Sequence, residues 1–271
     1  MEANILVCVK QVPEPGHFQH LRLDKGTGTL IRSGIPLVLN PLDKHALEAA
    51  LAIKDAYGAT ITAITMGPPS VKKVIEGALA LGVDEGVLLS DSAFAGSDTL
   101  ATAKIIARAI SLSGNYDLIL CGDESVDGAT RQVPVQLAVL LGIPYVTAVK
   151  GFSFSGNGAL SVEKKIGGDT AVLEVKTPAL LALTKGINQP RLPTIAGIIA
   201  TKNKKIRELT ALECFGSPPN NQISTTAVPA SPTEVFSLGI MAPRKGASMI
   251  DGSLEKTTKE LAKILQSRCH K

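Results

Sequence analysis

The 271 residues include 45% hydrophobic residues and a formal net charge of +4, so the chain has enough apolar material to bury the core of one large domain. Trp is absent and aromatic residues make up only 3% of the chain, which leaves little for base stacking and argues against nucleic acid as a partner. No apolar run reaches the length of a membrane span. The N-terminus has neither a basic region nor a cleavage site, so we expect no membrane insertion and a cytoplasmic location.

The cysteines and histidines predict no metal centre and no nucleophilic centre. Cys8, Cys121, Cys214 and Cys269 are scattered, without the spacing of a zinc or iron–sulfur site. We interpret Cys8 and Cys121 as buried, reduced thiols at strand ends, and each histidine as a lone surface side chain. The motifs of serine hydrolases and zinc proteases are missing. The sequence therefore predicts no catalytic residue and no bound metal.

The chain begins with a strand and an insertion. Residues 5–9 form a continuous apolar run, which is typical of a strand covered on both faces, and residues 10–13 follow it as an exit loop. Within residues 14–36, apolar pairs flank the turn-forming residues 24–28. This pattern favours a small hairpin that lies over one edge of the sheet.

A strong helix start follows the insertion. Asn40 suits the cap position, Pro41 the first helical position and Asp43 the first turn. Helical spacing of apolar residues continues from there to Gly58. We therefore predict a helix that runs to about Tyr57, with Tyr57 on its buried face.

Two further strand and helix units repeat this pattern. Residues 60–66 and 86–89 are apolar runs, and a helical stripe follows each of them. We expect Ser70 to cap the first of these helices and Asp98 or Thr99 to cap the second. Strands that alternate with helices of this length predict an α/β fold with a doubly wound, mostly parallel, Rossmann-like sheet and right-handed crossovers.

The fourth unit contains the most informative loop. The apolar run 118–121 breaks into residues 122–132, and helical spacing resumes at Val133. Small residues let a backbone approach a phosphate closely, and free N–H groups at a helix start face the anion. We therefore interpret the loop as a phosphate site. The residues that suit this role are Gly122, Ser125, Gly128 and Thr130.

A plainer interpretation of this loop stays open. Asp127 or Thr130 would then cap a helix, and the glycines would serve a tight turn. The loop also contains three carboxylates, Asp123, Glu124 and Asp127, which would repel a phosphate if they pointed at it. We expect them to face ribose hydroxyls, backbone groups or solvent.

Three strand ends should meet at one site, because ligands of an open parallel sheet bind beyond the carboxyl ends of its strands where the strand order reverses. We expect Asn40 to lie near the end of the first strand. The residues that follow the first, second and fourth strands are Cys8, Val9 and Lys10, then Thr65, Met66 and Gly67, then Cys121, Gly122 and Asp123.

Beyond Pro144 the pattern changes from crossovers to hairpins. Turn sequences at residues 156–158 and 167–169 predict an antiparallel extension of the sheet over about residues 144–184. An exposed-looking loop, residues 188–195, follows this extension. The next residues include a basic run that we interpret as solvated surface, namely Lys202, Lys204, Lys205 and Arg207.

The last part of the chain predicts an arm. Residues 215–232 are rich in Pro, Ser, Asn and Thr, and a short helix capped by Ser253 follows. Its apolar stripe has the width that docks onto another surface. The stripe consists of Leu254, Thr257, Leu261, Ile264 and Leu265. We therefore divide the chain into a nucleotide-binding domain, residues 1–212, and a C-terminal arm, residues 213–271.

These residues together resemble the beta subunit of electron transfer flavoproteins, over almost the whole chain. The most specific segment is residues 162–169 running to residues 178–181, which looks like the family's signature of basic residues, an acidic-glycine turn and a proline. The segment departs from that signature at Gly167, where an acid is usual, and at Ala171, where Glu or Gln is usual. Both departures lie in a hairpin away from the inferred site.

The resemblance implies a heterodimer in which an alpha subunit carries an FAD and this chain binds a second adenine nucleotide. Ile195 matches the apolar residue with which the family anchors a dehydrogenase, of the acyl-CoA or hydroxy-acid type. The family's nucleotide site and the strand ends together give the expected cofactor-binding set, which is Cys8, Val9, Lys10, Asn40, Pro41, Asp43, Thr65, Met66, Gly67, Gly122, Asp123, Ser125, Val126, Asp127, Gly128, Ala129, Thr130, Gln132 and Val133. The arm would dock on the alpha subunit.

Members of this family differ in the nucleotide of the beta subunit, which is AMP in some and FAD in electron-bifurcating ones. Residues 10–13, 28–32 and 127–128 resemble the bifurcating branch. In that branch the flavin takes a hydride from NADH, sends one electron to ferredoxin and sends the other through the alpha FAD to a dehydrogenase. The resemblance thus implies a subunit of an NAD- and ferredoxin-linked oxidoreductase complex, whose chemistry is that of the bound FAD.

Two alternatives stay open. One is a beta subunit that does not bifurcate and binds a structural AMP. The other is a free-standing ATP-binding regulatory protein of related fold, in which the arm and the loop at residues 188–195 would have no use. Flavin absorbance of the purified protein separates the FAD interpretation from both alternatives.

Overall fold

A computed structural model describes residues 3–20, 22–23, 30–31, 34–156, 158–216, 228–233 and 249–269. The chain divides into a first unit, Met1–Phe236, and a second unit, Ser237–Lys271. The strands are β1 (Ala3–Cys8), β2 (Gln11–Pro13), β3 (Arg22–Leu23), β4 (Leu30–Ile31), β5 (Leu37–Leu39), β6 (Ala59–Met66), β7 (Glu85–Leu89), β8 (Leu118–Gly122), β9 (Tyr145–Gly156), β10 (Ala159–Ile166), β11 (Asp169–Lys176), β12 (Ala179–Leu183) and β13 (Ile206–Leu209). The helices are α1 (Pro41–Tyr57), α2 (Lys72–Leu81), α3 (Thr99–Ser113), α4 (Val133–Leu141), α5 (Ile195–Ala200), α6 (Ala211–Phe215) and α7 (Leu254–Cys269).

One nine-stranded sheet organises the first unit, in the order β11-β10-β9-β12-β8-β1-β6-β7-β13. In this spatial order, every neighbouring pair between β9 and the edge strand β13 runs parallel. The pairs β9–β10 and β10–β11 run antiparallel. This arrangement confirms the predicted doubly wound, mostly parallel sheet and its antiparallel extension. The strand order reverses between β1 and β8, because the chain builds β6 and β7 on one side of β1 and then crosses to the other side.

The insertion after β1 forms two small antiparallel pairs, β2 with β5 and β3 with β4. The second pair is the predicted hairpin, although its turn, residues 24–28, lies outside the described residues. The first pair corrects the expectation of a plain exit loop at residues 10–13. Val12 is fully buried there, so the segment gains both a strand partner and an apolar contact.

Two apolar clusters fill the two faces of the sheet. Helices α1 and α2 pack on one face, where their alanines and leucines meet Ile5 and Val7 of β1. Helices α3, α4 and α6 pack on the other face, where they meet Leu6. Successive strand residues point to opposite faces, so continuous apolar runs in the parallel strands reflect helices on both sides.

Two details of the helices differ from expectation. Tyr57 is 72% exposed, because it is the last residue of α1 and forms a T-shaped ring pair with Phe154 on β9 instead of packing in the core. Ser70 does not cap α2, since a 3-10 turn, Pro69–Val71, precedes the helix and Val71 stands at the cap position. Asp98 does cap α3, by accepting the N–H of Ala101 at 2.8 Å.

The basic run at residues 202–207 is more than solvated surface. Its last residues enter β13, an edge strand beside β7 that we did not predict. Lys204 Nζ donates to the carbonyls of Leu79 and Val83 at 2.9 and 2.5 Å, and burial lowers the pKa of this ammonium group. Arg207 donates to Leu112 O at 3.2 Å. These cations satisfy carbonyl groups near the ends of α2 and α3.

The described residues 228–233 belong to the first unit and bond to the start of α3. Thr233 donates from its N–H and its Oγ1 to Asp98 Oδ2 at 3.1 and 2.7 Å. Ser231 Oγ accepts the N–H of Asp98 at 2.9 Å, and Val228 packs on the second apolar cluster. The carboxylate that caps α3 therefore also holds this segment of the predicted arm.

The second unit contains α7, which carries the stripe expected from the sequence. Leu254 is 85% exposed, and Leu261, Ile264 and Leu265 are also exposed. The carbonyl of Ser253 accepts the N–H of Thr257 at the start of this helix. Across the described ranges, no helix combines the length and the apolar character needed to span a membrane.

Candidate functional site

The start of α1 lies against the loops that follow β1 and β8, at the point where the strand order reverses. Asn40 N donates to Lys10 O at 2.9 Å, which ties the helix start to the end of β1. The side chains of Asn40 and Asp43 reach the loop after β8. This junction is where an open parallel sheet binds its ligands.

Asn40 holds the loop rather than capping its helix. Its side chain is 1% exposed and makes no capping hydrogen bond within α1. Instead, Nδ2 donates to Glu124 O at 2.9 Å and Oδ1 accepts the N–H of Val126 at 3.2 Å. The amide therefore fixes the backbone of the loop across 84 positions of sequence.

Asp43 links the ends of β1 and β8 through its carboxylate. Its Oδ2 accepts the N–H of Lys10 at 2.8 Å, and its Oδ1 accepts the N–H of Gly122 at 3.1 Å. Burial raises the pKa of Asp43 to about 7, although hydrogen bonds from Asn40, Lys10 and Gly122 oppose that shift. Both oxygens thus face protein backbone, so Asp43 positions the loops and presents no free oxygen to a ligand.

Gly122 is needed for the close approach of β8 to α1. A Cβ at this position would lie 2.5 Å from Asp43 Oδ1, 2.8 Å from Leu42 Cβ and 3.0 Å from Asp43 N. Two of these neighbours are atoms that the helix start holds in place. The glycine therefore serves packing between the strand end and the helix, in addition to any role toward a ligand.

Lys10 reaches across the loop from the end of β1. Its Nζ donates to Asp127 Oδ1 at 2.7 Å and to Ser125 Oγ at 3.2 Å. The Asp127 side chain is only 9% exposed. Helix α4 begins at Val133, with Gln132 at the cap position and no capping side chain. The interpretation in which Asp127 or Thr130 caps this helix is therefore wrong.

The other two carboxylates of the loop are also engaged. Arg131 donates to Glu124 from Nε at 2.8 Å and from Nη2 at 3.2 Å, and these contacts raise the pKa of the guanidinium. Asp123 Oδ1 accepts the N–H of Ala148 at 3.0 Å, while its Oδ2 lies 3.5 Å from Arg131 Nε. For the loop carboxylates the sequence predicted ribose hydroxyls, backbone groups or solvent as partners, and it did not predict the two cationic partners, Lys10 and Arg131.

The loop concentrates backbone strain. Within the described ranges, the non-glycine residues with positive φ are Ala129 at 48°, Arg131 at 56° and Ala148 at 56°. Two of them belong to the loop and the third bonds to Asp123. Left-handed conformations of such residues cost free energy and cluster at functional sites. The exposed stretch Gly128, Ala129, Thr130, Arg131 and Gln132 is therefore held in a specific shape.

Thr65, Met66 and Gly67 lie one strand further from the junction, at the end of β6. Thr65 is 2% exposed and its Oγ1 has no hydrogen-bond partner. A Cβ at Gly67 would meet Val71 Cγ1 at 2.8 Å, so this glycine accommodates the start of α2. The predicted residues of this strand end are thus near the site, with one unpaired hydroxyl.

Two thiols lie side by side at the junction. The pairing of β1 with β8 extends to Val7 with Leu120, which places Cys8 beside Cys121. A hydrogen bond with Cys8, together with burial, raises the pKa of the Cys121 thiol well above its usual value. Cys121 is buried, as expected, and Cys8 is partly buried; both are reduced.

A polar contact between α3 and α4 escaped the sequence analysis. Thr99 Oγ1 donates to Gln132 Oε1 at 2.8 Å and accepts from Gln136 Nε2 at 3.3 Å. Gln136 Oε1 is buried without a partner. A polar residue every fourth position at a helix start, as at Gln132 and Gln136, is a signal that could have indicated this contact.

A second candidate surface surrounds α5. Ile195 is 80% exposed, and the apolar side chains exposed around it are Leu192, Ile198 and Ile199. Thr194 caps the helix by accepting the N–H of Gly197 at 3.0 Å. We call these four apolar residues the docking surface. Ile195 therefore does not pack in the core.

The loop before the docking surface is pinned to α1. Arg191 donates from Nε and Nη2 to the two oxygens of Glu48, each at 2.9 Å, and from Nη2 to Asp55 Oδ2 at 2.8 Å. Asn188 Oδ1 lies 2.9 Å from His45 Nδ1, and its Nδ2 donates to His45 O. His45 is 9% exposed, so its interpretation as a lone surface histidine is wrong.

Comparison with known proteins shows which family the sequence matches. Residues 27–213 match the model of the electron transfer flavoprotein domain. The chain is 40% identical over 266 residues to an electron transfer flavoprotein subunit beta of Thermoanaerobacterium thermosaccharolyticum, covering 98% of each chain. It is 38% identical to the caffeyl-CoA reductase-Etf complex subunit CarD of Acetobacterium woodii, covering 97% of each chain. It is 37% identical to the acryloyl-CoA reductase electron transfer subunit gamma of Anaerotignum propionicum, covering 97% of this chain and 98% of that one.

Proposed function

Because this chain belongs to the electron transfer flavoprotein family, we propose that it works as the beta subunit of a bifurcating complex and that its nucleotide is FAD. In this proposal NADH donates a hydride to that flavin. One electron then goes to ferredoxin, and the other goes through the FAD of the alpha subunit to a partner dehydrogenase.

The observation that carries the proposal is the junction at which Asn40 and Asp43 hold the loops after β1 and β8 together. Residues separated by about 80 positions of sequence form one backbone-lined edge there. Sequence resemblance to bifurcating members at residues 10–13 and 127–128 falls on the same edge. Two of the relatives carry the names of subunits of CoA-ester reductase systems, which supports an acyl-CoA type of dehydrogenase partner.

The residues at this edge fit a dinucleotide. The backbone from Gly128 to Gln132 is exposed just before α4, where N–H groups and the helix dipole favour a phosphate. A Cβ on Gly128 would meet only Ser125 Oγ, at 3.4 Å, so the approach to this backbone is open. FAD, when bound, supplies the electron chemistry, while these residues bind and orient it.

The chain's carboxylates are compatible with a phosphate nearby. Asp43 bonds to two N–H groups, Glu124 bonds to Arg131, and Asp127 bonds to Lys10. These contacts turn negative charge away from the exposed part of the loop. The cation Lys10 is 46% exposed, so it remains near enough to solvent to contact an anionic ligand as well.

The decisive measurement is the nucleotide content of the complex with its alpha subunit, after denaturing release. We expect two FAD for each heterodimer, and we expect NADH to reduce the flavin of this subunit without the dehydrogenase present. One FAD and one AMP for each heterodimer would instead establish the structural-AMP alternative. If the protein binds ATP, lacks flavin and does not associate with an alpha subunit, both beta-subunit interpretations, with FAD and with AMP, are excluded.

The loop assignment has its own test in Gly128→Val. The space around Gly128 accommodates a side chain, so the variant should fold, but its methyl groups should block the approach of a diphosphate to the backbone. We expect purified complex to lose most of the nucleotide of this subunit. Gly168→Val is a matched control, since a Cβ at that position would meet no atom within 4 Å. Full nucleotide content in Gly128→Val would show that the phosphates bind elsewhere.

Ile195→Ala tests the docking surface. Since the side chain is 80% exposed, its truncation should change the free energy of unfolding by less than about 0.5 kcal/mol. If Ile195 anchors the dehydrogenase, the affinity for that partner should fall about tenfold, as expected when a central apolar contact is lost. Val172→Ala, at a 67% exposed residue of β11, should change neither quantity. A lower Tm with unchanged affinity would instead identify Ile195 as a packing residue.

A further inference from the structure

An open groove lies between the second half of α1 and the extension strand β9. Its volume is about 310 Å³, at the lower end of the range for binding sites. Helix α1, strand β9 and the chain after β12 all line it, and none of the described residues that line it carries a charge. We call it the aromatic groove. Its larger lining residues are Ile53, Tyr57, Phe152, Phe154, Ile187 and Asn188.

The aromatic residues of this groove continue a buried face of the sheet. Phe152 pairs with Val162, and Phe154 pairs with Leu160. Directly opposite residues of an antiparallel pair point to the same face, and both Val162 and Leu160 are fully buried. Phe154 is nonetheless 43% exposed, because α1 ends at Tyr57, whose ring centroid lies 5.5 Å from that of Phe154. The helix therefore leaves the outer part of this face open.

The composition of the groove fits a protein partner. The centres of protein interfaces are depleted of charged residues and enriched in aromatic ones. Beside its apolar side chains, the groove offers only neutral polar groups, those of Tyr57, Ser153 and Asn188. An anionic or cationic metabolite would find no ion partner among them. An apolar side chain that a partner protein inserts would be well matched.

The groove is continuous with the docking surface. Arg191 donates from Nη2 to Asp55 at 2.8 Å, two positions before Tyr57 in the same helix. The next residue in the loop, Leu192, is 85% exposed and belongs to the docking surface. Asn188 of the same loop lines the groove. One loop, pinned to α1, therefore borders both features.

The docking surface alone is small for a protein interface. Electron-transfer complexes bury up to about 1,200 Å² in total, and a standard face of about 800 Å² involves roughly 20–30 residues. The four aliphatic residues of the docking surface supply only part of such a face. Aromatic side chains bury about 150–250 Å² each, so Tyr57 and Phe154 would add substantially to it.

We propose that the aromatic groove is a second contact site for the dehydrogenase that the docking surface binds, and that it receives an apolar or aromatic side chain of that partner. The inference rests on the proposed function, which supplies the dehydrogenase. The described part of the arm, residues 228–233, does not fill the groove. It bonds to the start of α3, which packs on the opposite face of the sheet.

The test uses the heterodimer with its alpha subunit and a purified acyl-CoA dehydrogenase, whose Kd is measured by titration calorimetry. Tyr57→Ala removes one ring of the groove at a 72% exposed position, so the variant should fold. Ala52→Gln instead places a larger polar side chain in the groove. Ala56→Gln is its matched control, because Ala56 is also exposed on α1 but does not line the groove. We expect Kd to rise about tenfold in Tyr57→Ala and in Ala52→Gln, and to stay unchanged in Ala56→Gln.

Ile195→Ala is measured in the same titrations, alone and combined with Tyr57→Ala. If both residues contact one dehydrogenase at separate points, the two increases multiply to about a hundredfold in the double variant. An effect of Ile195→Ala without any effect of Tyr57→Ala and Ala52→Gln would overturn the groove proposal and leave the proposed function intact. If the parent heterodimer binds no acyl-CoA dehydrogenase, the proposed function fails and the groove proposal fails with it.

Two further outcomes would assign the groove to another occupant. Size-exclusion chromatography of each variant shows whether it keeps its alpha subunit and its oligomeric state. If Tyr57→Ala releases the alpha subunit, the groove belongs to the interface between the subunits. If Tyr57→Ala instead separates paired heterodimers, the occupant is a second copy of this chain. Either result would overturn the proposal.

Discussion

Gly122→Ala should be among the most damaging single-atom changes in this chain. The added Cβ would lie 2.5 Å from Asp43 Oδ1 and 3.0 Å from Asp43 N, so β8 and α1 would have to separate. Overpacking of this kind costs about 1–3 kcal/mol, and loss of the bond from Gly122 N to a carboxylate adds a similar amount. We expect Tm to fall by roughly 6–12 °C and the nucleotide to be lost.

Gly168→Ala is the control for this prediction. No atom lies within 4 Å of a Cβ at Gly168, so this variant should keep both its Tm and its nucleotide. Thermal unfolding followed by circular dichroism and nucleotide release by denaturation give the two readouts. If Gly122→Ala retained the Tm of the parent protein, the contact between β8 and α1 would have to be looser than the structure indicates.

Asp43→Asn should remove a pH dependence from the stability of the protein. The pKa of Asp43 is raised by burial from 3.8 in the unfolded chain to about 7 in the folded one. Between these values the folded state binds more protons than the unfolded state, so this residue lowers stability as the pH rises from about 4 to about 7. A shift of this size corresponds to a change on the order of 4 kcal/mol.

The variant should therefore be compared with the parent protein across that window. Asparagine offers one acceptor oxygen to two N–H donors, so at pH 5 we expect Asp43→Asn to be less stable by about 1–3 kcal/mol. The difference should shrink or reverse by pH 8, where the buried carboxylate of the parent is ionised. Asp91 and Asp98 have lowered pKa values, so they titrate below this window. A pH-independent difference in Tm would show that Asp43 does not titrate between pH 5 and 8.

Local sequence signals predicted most of the fold. The Asn40 and Pro41 start of α1, the cap at Asp98 and the turns of the hairpin extension are formed by neighbouring residues. Strand β13 was missed, because two adjacent charged residues, Arg207 and Glu208, interrupt its apolar pattern at a sheet edge. Its partner is supplied by β7, which lies more than one hundred positions away.

The sequence predicted where the residues of the candidate site lie better than it predicted which hydrogen bonds their side chains form. The residues at the ends of β1 and β8 come together as expected, but what each side chain does there depends on distant partners. Asn40 was predicted to cap a helix and instead binds the backbone at Glu124 and Val126.

Helix α1 contacts both proposed surfaces within two turns. Asp43 bonds to the loops of the nucleotide site, while His45 and Glu48 bond to the loop that carries the docking surface. Five residues of helix span about 7.5 Å along the axis, and a packed helix does not stretch. The helix therefore acts as a rigid spacer. In the proposed complex, a dehydrogenase seated at Ile195 would lie at one fixed separation from the proposed nucleotide site, whatever the sequence of that dehydrogenase.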